Sequence, residues 1–374
     1  MDFTFTEEQT MLQDATRRFI GKEASFEQRR QAQKTPVGYS KPVWQGFADL
    51  GLLALLVPED DGGLGGTAMD SMLVMEAIGE GLVIEPYLAS AVLATRTLCL
   101  LGNAEQRARF LPGLIGGTAI AAFAHDEATS RFERLNIATS ATPTAGGYIL
   151  NGHKSVVQHG ASADVLLITA RMPDQRLAVF ALPKSTAGLR ILPYTTVDGI
   201  GAAELHLAQL DVPAGSLLDA QSDAEAALNQ ILDLGIAAVC AEAVGALDKL
   251  LAATIAYAKN RKQFGVVIGK FQALQHKMAD MVLHIEQARS MSYLAAVSLE
   301  ERDPSARAVA LSSAKVVIGQ ACRFVGQQAV QLHGGMGVTD ELDVSHYFKR
   351  LMAIELQFGS TDHHLEMVAQ RLGS

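Results

Sequence analysis

The residues best placed to do chemistry are cations and glycines in the last third of the chain. Arg261-Lys262-Gln263-Phe264-Gly265 is followed closely by Gly269-Lys270-Phe271-Gln272. Cations at a helix end, then a glycine loop and a new helix, can hold a phosphate, because a guanidinium and a helix N-terminus both favour an anion. The same residues can simply cap a helix, with the cations favoured by its C-terminal dipole and the glycine closing it. Gln331-Leu332-His333-Gly334-Gly335-Met336-Gly337 is equally two-sided. Its glycines let a backbone approach a ligand, or they form a C-cap and turn. Asn151-Gly152-His153-Lys154 reads as a type I′ hairpin turn. His363 and His364 are adjacent, face different sides of a helix and make a poor metal pair. No HExxH, CxxC or GxSxG arrangement occurs, so no metal site is expected.

Three stretches of different texture must position these groups. Residues 1–118 read as helices between Gly/Pro loops. Thr6 precedes Glu7 and Glu8 as a helix start, and Phe47, Leu50, Leu53 and Ala54 recur at helical spacing. The loop from Pro58 to Gly66 follows, then an apolar helix over Ala89 to Leu101 and a helix capped by Asn103 that ends before Pro112. Residues 119–217 change period. Short apolar runs at Tyr148–Gly152, Val165–Thr169, Leu177–Ala181 and Leu189–Leu192, with alternation over Glu204–Leu210, predict an antiparallel sheet or small barrel. Residues 218–374 return to helix. Leu274, Met278, Met281, Ile285 and Ala288 form one face, Pro304 opens a helix running to Leu332, and Asp343–Arg350 and Thr361–Leu372 complete a four-helix bundle. The fold class is therefore α+β, mostly α.

Composition narrows the partners. The chain has 374 residues, 49% hydrophobic and 19% charged, with 31 Lys+Arg against 40 Asp+Glu and a net charge of −9. It can bury a large core, and a nucleic-acid binder would lean basic. Mean hydropathy is positive at +0.16. The longest apolar stretch, Gly235 to Ala258, is interrupted by Glu242, Asp248 and Lys249, so no membrane span is expected. The beginning MDFTFTEEQ has neither a basic start nor an apolar signal core, which points to the cytoplasm. Cys99, Cys240 and Cys322 read as reduced core residues.

Taken together and in order, these segments resemble the acyl-CoA dehydrogenase family over nearly the whole chain. Val57-Pro58-Glu59 through Gly65 is similar to the family's N-terminal loop. Gly102, Glu105-Gln106 and Phe110-Leu111-Pro112 are similar to the approach to its β-domain, and Asn151–Lys154 to its NGxK turn. The RxxFG stretch at Arg261 and the QLHGGMG stretch at Gln331 are its strongest marks. The resemblance implies an N-terminal helical domain (1–118), a central β-barrel domain (119–217) and a C-terminal four-helix bundle (218–374). It also implies FAD, a dimer or tetramer, and electron-transfer flavoprotein as acceptor. The family removes the proton α to a thioester with a protein base, and flavin N5 takes the β-hydrogen as hydride.

The sequence departs from the family where that chemistry is done. The usual Glu before Gly-Thr is replaced by Phe358, in Leu356-Gln357-Phe358-Gly359-Ser360-Thr361. An alternative Glu position, counted back from Arg261, holds Gly235. Neither residue can accept a proton. The TEPxAGSD-like stretch, which meets flavin and acyl-CoA in the family, reads His125-Asp126-Glu127-Ala128-Thr129-Ser130-Arg131-Phe132. The Trp-Ile-Thr-like flavin wall reads Val156-Val157-Gln158. By contrast, the motifs that serve a neighbouring subunit's FAD are kept, and the resemblance assigns Arg261, Phe264, Gln272, Gln331, Gly334 and Gly335 to it.

That asymmetry resembles the small, non-catalytic subunit of heteromeric acyl-CoA dehydrogenases, such as those acting on pimeloyl-CoA or steroid side-chain CoA esters. On this first expectation the chain pairs with a homologous catalytic subunit as α2β2, in lipid or steroid degradation by β-oxidation. A second is a self-sufficient flavoenzyme with its base relocated to Asp362 or, in the altered loop, to Glu127 or Asp126. Asp362 lies four residues after Phe358 and shares its face if the helix is continuous. A third is a structural or regulatory homologue without flavin.

Overall fold

The computed structural model describes residues 5–218 and 223–372. The reading of the first four residues lies outside this range. Helices α1 (Glu7–Glu23), α2 (Phe26–Gln33), α3 (Lys41–Asp49), α4 (Ala68–Glu80), α5 (Thr95–Leu101) and α6 (Ala104–Ile115) come first. Strands β1 (Ala121–Ala124), β2 (Ser140–Pro143), β3 (Gly147–Gln158), β4 (Val165–Arg171), β5 (Leu177–Pro183), β6 (Arg190–Thr195) and β7 (Gly201–Pro213) follow. Then come α7 (Ala224–Asn260), the two-stranded β8 (Lys262–Gln263) and β9 (Val266–Val267), and α8 (Gln272–Ser298), α9 (Pro304–His333), α10 (Asp343–Leu356) and α11 (Thr361–Leu372). The mostly helical α+β class is as expected.

Local chemistry explains most boundaries. Thr6 caps α1 and Asn103 caps α6, each in a reciprocal capping box with the glutamine three residues on. Asp303 caps α9, with Pro304 in its first turn. Several expected boundaries move: the helical spacing from Phe47 to Ala54 breaks after Asp49 into a separate 3₁₀ turn over Leu52–Ala54, and the helix expected from Ala89 is a π-helix over Tyr87–Ala94 that continues as α5. The helix from Asn103 does not stop before Pro112 but carries it to Ile115. The helix from Asp343 runs past Arg350 to Leu356, where Gln357 turns extended.

The chain divides into two compact units, one of residues 1–29, 68–83 and 236–374, the other of 30–67 and 84–235. The second unit holds the seven-stranded sheet, in order β1-β4-β2-β3-β7-β6 with β5 also on β4. Strands β4 and β5 are buried on both faces, so they read as continuous apolar runs, while β6 is an exposed edge. The pairing is mostly antiparallel, but β1 runs parallel to β4 because the β2–β3 hairpin intervenes before the chain returns.

The expected turn at Asn151–Lys154 is instead the middle of β3, which pairs with β7 from end to end. Gly152 sits beside an irregularity in that register, and a Cβ there would fall 2.3 Å from the Thr139 hydroxyl. Its glycine serves close packing rather than a positive φ. The Asn151 side chain accepts from the Gln209 backbone N–H, which ties it to β7.

The first unit is built around residues 236–250 of α7, which are buried nearly all round. The helices at Ala224–Asn260 and Pro304–Val338 are in fact long and apolar enough to cross a membrane, contrary to the sequence expectation. In the first of these, 89% of the apolar window is buried within the protein itself, so its composition is that of a core helix. Helix α4 crosses α7 at glycines. A Cβ on Gly245 would lie 1.8 Å from the Glu76 carbonyl oxygen, and one on Gly79 would lie 1.9 Å from that of Glu242. Beside this crossing the buried Arg350 of α10 donates to both carboxylate oxygens of Glu242, at 2.5 and 2.6 Å. Cys240 and Cys322 are buried and unpaired and Cys99 is half-buried, so the three cysteines are free.

Gly245→Ala is expected to destabilise by about 2 kcal/mol or more, because the new methyl meets backbone that cannot yield alone. Gly21→Ala on α1, where nothing lies within 4 Å, is expected to stabilise by roughly 0.5–1 kcal/mol. Denaturant unfolding of both variants checks the contrast.

Candidate functional site

Within the helical unit, the two glycine-bearing motifs are brought together. Tyr257, one turn before Arg261, stacks near His333 with ring centroids 4.3 Å apart and donates from its hydroxyl to the His333 carbonyl at 3.4 Å. The C-terminal ends of α7 and α9 therefore meet, with Arg261 on one and Gln331, Gly334 and Gly335 on the other. All four are exposed. After Arg261 the chain forms the β8–β9 hairpin, and Ile268 N–H donates back to the Arg261 carbonyl at 2.8 Å. Phe264 and Gly265 are its two turn residues, at φ 52° and 80°. The type I′ geometry expected at Asn151 is thus found here.

A phenylalanine in the left-handed region is strained, and Phe264 is also 92% exposed. Helix α8 starts just beyond, at Gln272, and no side chain caps its N-terminus. Exposed Arg261, Lys262 and Lys270 border that free helix end. This is the donor set an anion needs. Gly334 adopts φ 59°, and a Cβ on Gly334 or Gly335 would meet nothing within 4 Å. The open space lies outside the chain.

The loop between α10 and α11 carries Phe358. Phe358 sits at φ 60° and Gly359 at φ 118°. A Cβ on Gly359 would lie 2.7 Å from His364 Nε2. The buried Lys315 ammonium of α9 donates to the carbonyls of Ile354, Glu355 and Gly359 at 2.8, 2.9 and 3.0 Å. Burial lowers the Lys315 pKa, opposed by nearby cysteine and glutamate groups. His364 Nε2 donates to the Phe358 carbonyl at 3.1 Å, which leaves Nδ1 to accept from the Ser312 hydroxyl. Glu355 accepts from the Thr361 N–H and from Arg323. The strained turn is therefore over-determined by buried donors.

Because α10 ends at Leu356 and α11 begins at Thr361, Phe358 and Asp362 do not lie on one continuous helix. The face shared by these two residues in the sequence reading does not exist. Asp362 is exposed in the first turn of α11, where an acid complements the helix dipole. Gly235 is buried within α7.

In the sheet unit, Glu127 has a different task from the base expected of it. Its carboxylate accepts from Lys154 Nζ at 2.7 Å, the Thr139 hydroxyl at 2.6 Å, and the Ala138 and Thr139 N–H groups at 2.7 and 3.0 Å. Burial by itself would raise its pKa, but the Lys154 charge and these hydrogen bonds hold it below the usual carboxylate range. Burial lowers Lys154 to about 8, against the pull of Glu127. His125 Nε2 donates to the Arg134 carbonyl at 2.7 Å, and its buried Nδ1 has no partner, an arrangement that suits the neutral ring. Burial first and then the Lys154 charge lower His125 to about 4. Asp126 reaches the surface, and desolvation raises its carboxyl against the opposing Lys154 charge. Val156 is exposed at φ 52°, where the β3–β7 register shifts. Among the described residues no cluster of His, Cys, Asp or Glu could hold a metal.

Sequence reading missed Lys315, Lys154, His364 and Tyr257 as organising residues. A lone lysine in the apolar run Ala314-Lys315-Val316-Val317 was the available signal for the first. The others depend on long-range pairing.

Three family profiles cover most of the chain: acyl-CoA dehydrogenase N-terminal domain over residues 6–118, middle domain over 122–211 and C-terminal domain over 225–373. The chain is 31% identical to the probable acyl-CoA dehydrogenase YngJ of Bacillus subtilis, over 100% of both chains. Its fold is similar to that of a chain in the ChsE4–ChsE5 complex from Mycobacterium tuberculosis, with TM-score 0.89, 25% identity, and 100% and 99% of the two chains covered. It is also similar to PigA in its FAD complex, with TM-score 0.88, 27% identity, and 100% and 99% covered.

The neutral His125 gives a pH prediction. Between its folded value near 4 and its unfolded value near 6.5, only the unfolded chain binds the proton, so stability falls as pH drops through that window. The loss through this group is about 3 kcal/mol. His125→Gln, which keeps a donor for Arg134, is expected to flatten the acid limb of melting temperature against pH. Superimposable acid limbs would contradict the assignment.

Proposed function

The chain belongs to the acyl-CoA dehydrogenase family, and on that premise we propose that it is the non-catalytic subunit of an FAD-dependent heteromer, paired with a homologous subunit that carries the base. The observation behind this reading is Phe358. It occupies the base position in the turn between α10 and α11, and the nearby Glu355 is engaged by Arg323 and the Thr361 N–H. Glu127 is consumed by an internal ion pair, and Asp362 lies beyond the helix break.

The chain's residues fit FAD at one end. Exposed Arg261 and Lys262, the uncapped start of α8 at Gln272, and the open glycines 334 and 335 next to Gln331 form an outward-facing set suited to a pyrophosphate. The exposed, strained Phe264 is suited to packing on a flat ring. The flavin end fits poorly. Val156 and Gln158 stand where an indole and a hydroxyl are expected. The chemistry FAD supplies when bound is acceptance of the β-hydrogen as hydride. This chain's part is to clamp the far end of a cofactor whose reactive end the partner holds, as α2β2, with electron-transfer flavoprotein as acceptor.

Similarity to the ChsE4–ChsE5 complex supports a two-chain assembly, and similarity to the Tcur3481–Tcur3483 steroid acyl-CoA dehydrogenase directs the substrate search to bulky acyl-CoA esters such as steroid side chains. A second reading, a self-sufficient enzyme, would run through Asp126, which reaches the surface with a raised carboxyl pKa.

Co-expression with a homologue from its own operon tests the proposal. Arg261→Ala in this chain is expected to lower the complex's turnover by about tenfold or more, since a charge-assisted contact contributes roughly 1.5–3 kcal/mol, while assembly by gel filtration is unchanged. Undiminished turnover would contradict it. Phe358→Glu is expected to leave the lone chain inactive, because the flavin wall is also altered. Activity in the lone chain that disappears on Asp126→Asn would establish the second reading instead.

A further inference from the structure

The loop from Asp126 to Ala138 leaves β1 and returns to β2, and both of its ends are drawn to one buried ion pair. Lys154 and Glu127 side chains are 0% and 3% exposed, with Nζ and Oε1 2.7 Å apart. Lys154 also donates to the carbonyl of His125 at the start of the loop, at 3.1 Å, and to the Thr169 hydroxyl of β4 at 2.9 Å. Glu127 accepts from the N–H groups of Ala138 and Thr139 at its end. Ser155 N–H donates to the Asp126 carbonyl at 2.9 Å, which pins the same neck to β3.

Further along, Arg171 donates to the carbonyls of Leu135 and Ile137 at 2.6 and 3.1 Å, and Ser130 donates to that of Asn136. The tip is left outside, with Ala128, Thr129, Arg131, Phe132 and Glu133 exposed. Arg134 of the same loop also pairs with Asp233 of α7 at 2.6 Å, and the result is an Ω-like loop with a cinched neck and an exposed tip.

The pair has a specific origin. Glu127 stands where the resembling stretch has proline, which has no charge to offer Lys154. A buried ion pair with its remaining hydrogen bonds satisfied is rigid and specific rather than strongly stabilising. The Lys154 ammonium and the Glu127 carboxylate are filled from within the chain, while His125 Nδ1 beside them has no partner.

We propose that the Glu127–Lys154 pair is an internal clamp that takes the place of a bound ligand, fixing the Asp126–Ala138 loop in one arrangement whether or not flavin or acyl thioester is offered. The inference deepens the reading of this chain as the subunit whose own half-site is not catalytic. Its test, however, does not require flavin uptake.

Hydrogen–deuterium exchange over residues 126–139 of the full chain, alone and in the co-expressed complex, makes the measurement. FAD and octanoyl-CoA are the probes. In the wild-type chain, exchange is expected to change less than twofold with either probe. A tenfold gain in protection on adding FAD or octanoyl-CoA would overturn the clamp. Lys154→Met is expected to speed exchange at the Ala138 and Thr139 amides by about tenfold.

The double variant Glu127→Leu/Lys154→Met separates stability from loop order. Apolar replacement of both partners is expected to recover the melting temperature while loop exchange stays fast. Slow exchange in the double variant would overturn the proposal, since the loop would then hold itself. If the variants do not fold, the wild-type comparison with and without probes decides alone. FAD uptake by this chain with an unchanged loop would defeat the subunit reading and spare the clamp. FAD uptake with a newly protected loop would defeat both.

Discussion

A helix that is apolar on every side can exist in water only if other elements cover it, and α7 imposes that constraint on the helical unit. Its residues from Ile236 to Leu250 are almost all buried. Helix α4 comes so close that glycine is required at 79 and 245. Helix α8 reaches it through Arg289 and Asp248, α9 through Tyr257 and His333, and α10 through Arg350 and Glu242. The long apolar stretch that raised the question of a membrane is the axis of this packing. Its end delivers Arg261 to the surface beside the end of α9, so the exposed cation at that corner follows from how α7 is buried.

Two buried lysines then do comparable work in the two units. Lys315 saturates three carbonyls of the Phe358 turn, and Lys154 joins both ends of the Asp126–Ala138 loop. In each case an ammonium stripped of water finds its hydration replaced by protein oxygens, and the loop it serves loses its freedom. These are the two segments the family uses around its reacting carbon. Here each is tied down by buried donors; Phe358 stands in the first, and Glu127 in the second is held by Lys154. The outward corner at Arg261 and Gly334 keeps exposed donors and open space. That division underlies the reading of a chain that supports chemistry carried out by a partner.

Much of this was legible in the sequence, for identifiable reasons. Helix caps at Thr6, Asn103 and Asp303 are local hydrogen-bond arithmetic and were read correctly. The β4 and β5 runs were visible because a strand buried on both faces is continuously apolar. Asn151-Gly152 failed as a turn because its glycine answers to Thr139, a neighbour set by strand pairing, and not to its own backbone. The true positive-φ pair contains Phe264, which propensity would never nominate. Asp362 failed as a partner of Phe358 because the helix breaks between them, at a turn stabilised by residues such as Lys315, far away in the sequence. Glu127 could not be recognised as structural before Lys154 was seen beside it. Side chains that answer to distant partners leave only a faint signal, such as a lysine in an apolar run.

The central claim is that this chain clamps a flavin it does not use. It is tested most directly by the visible spectrum and flavin count of the purified protein, alone and with its homologous partner. The account predicts a colourless, inactive lone chain and an active heterotetramer with two FAD per four chains. A yellow lone chain with one FAD per chain and turnover of its own would contradict it.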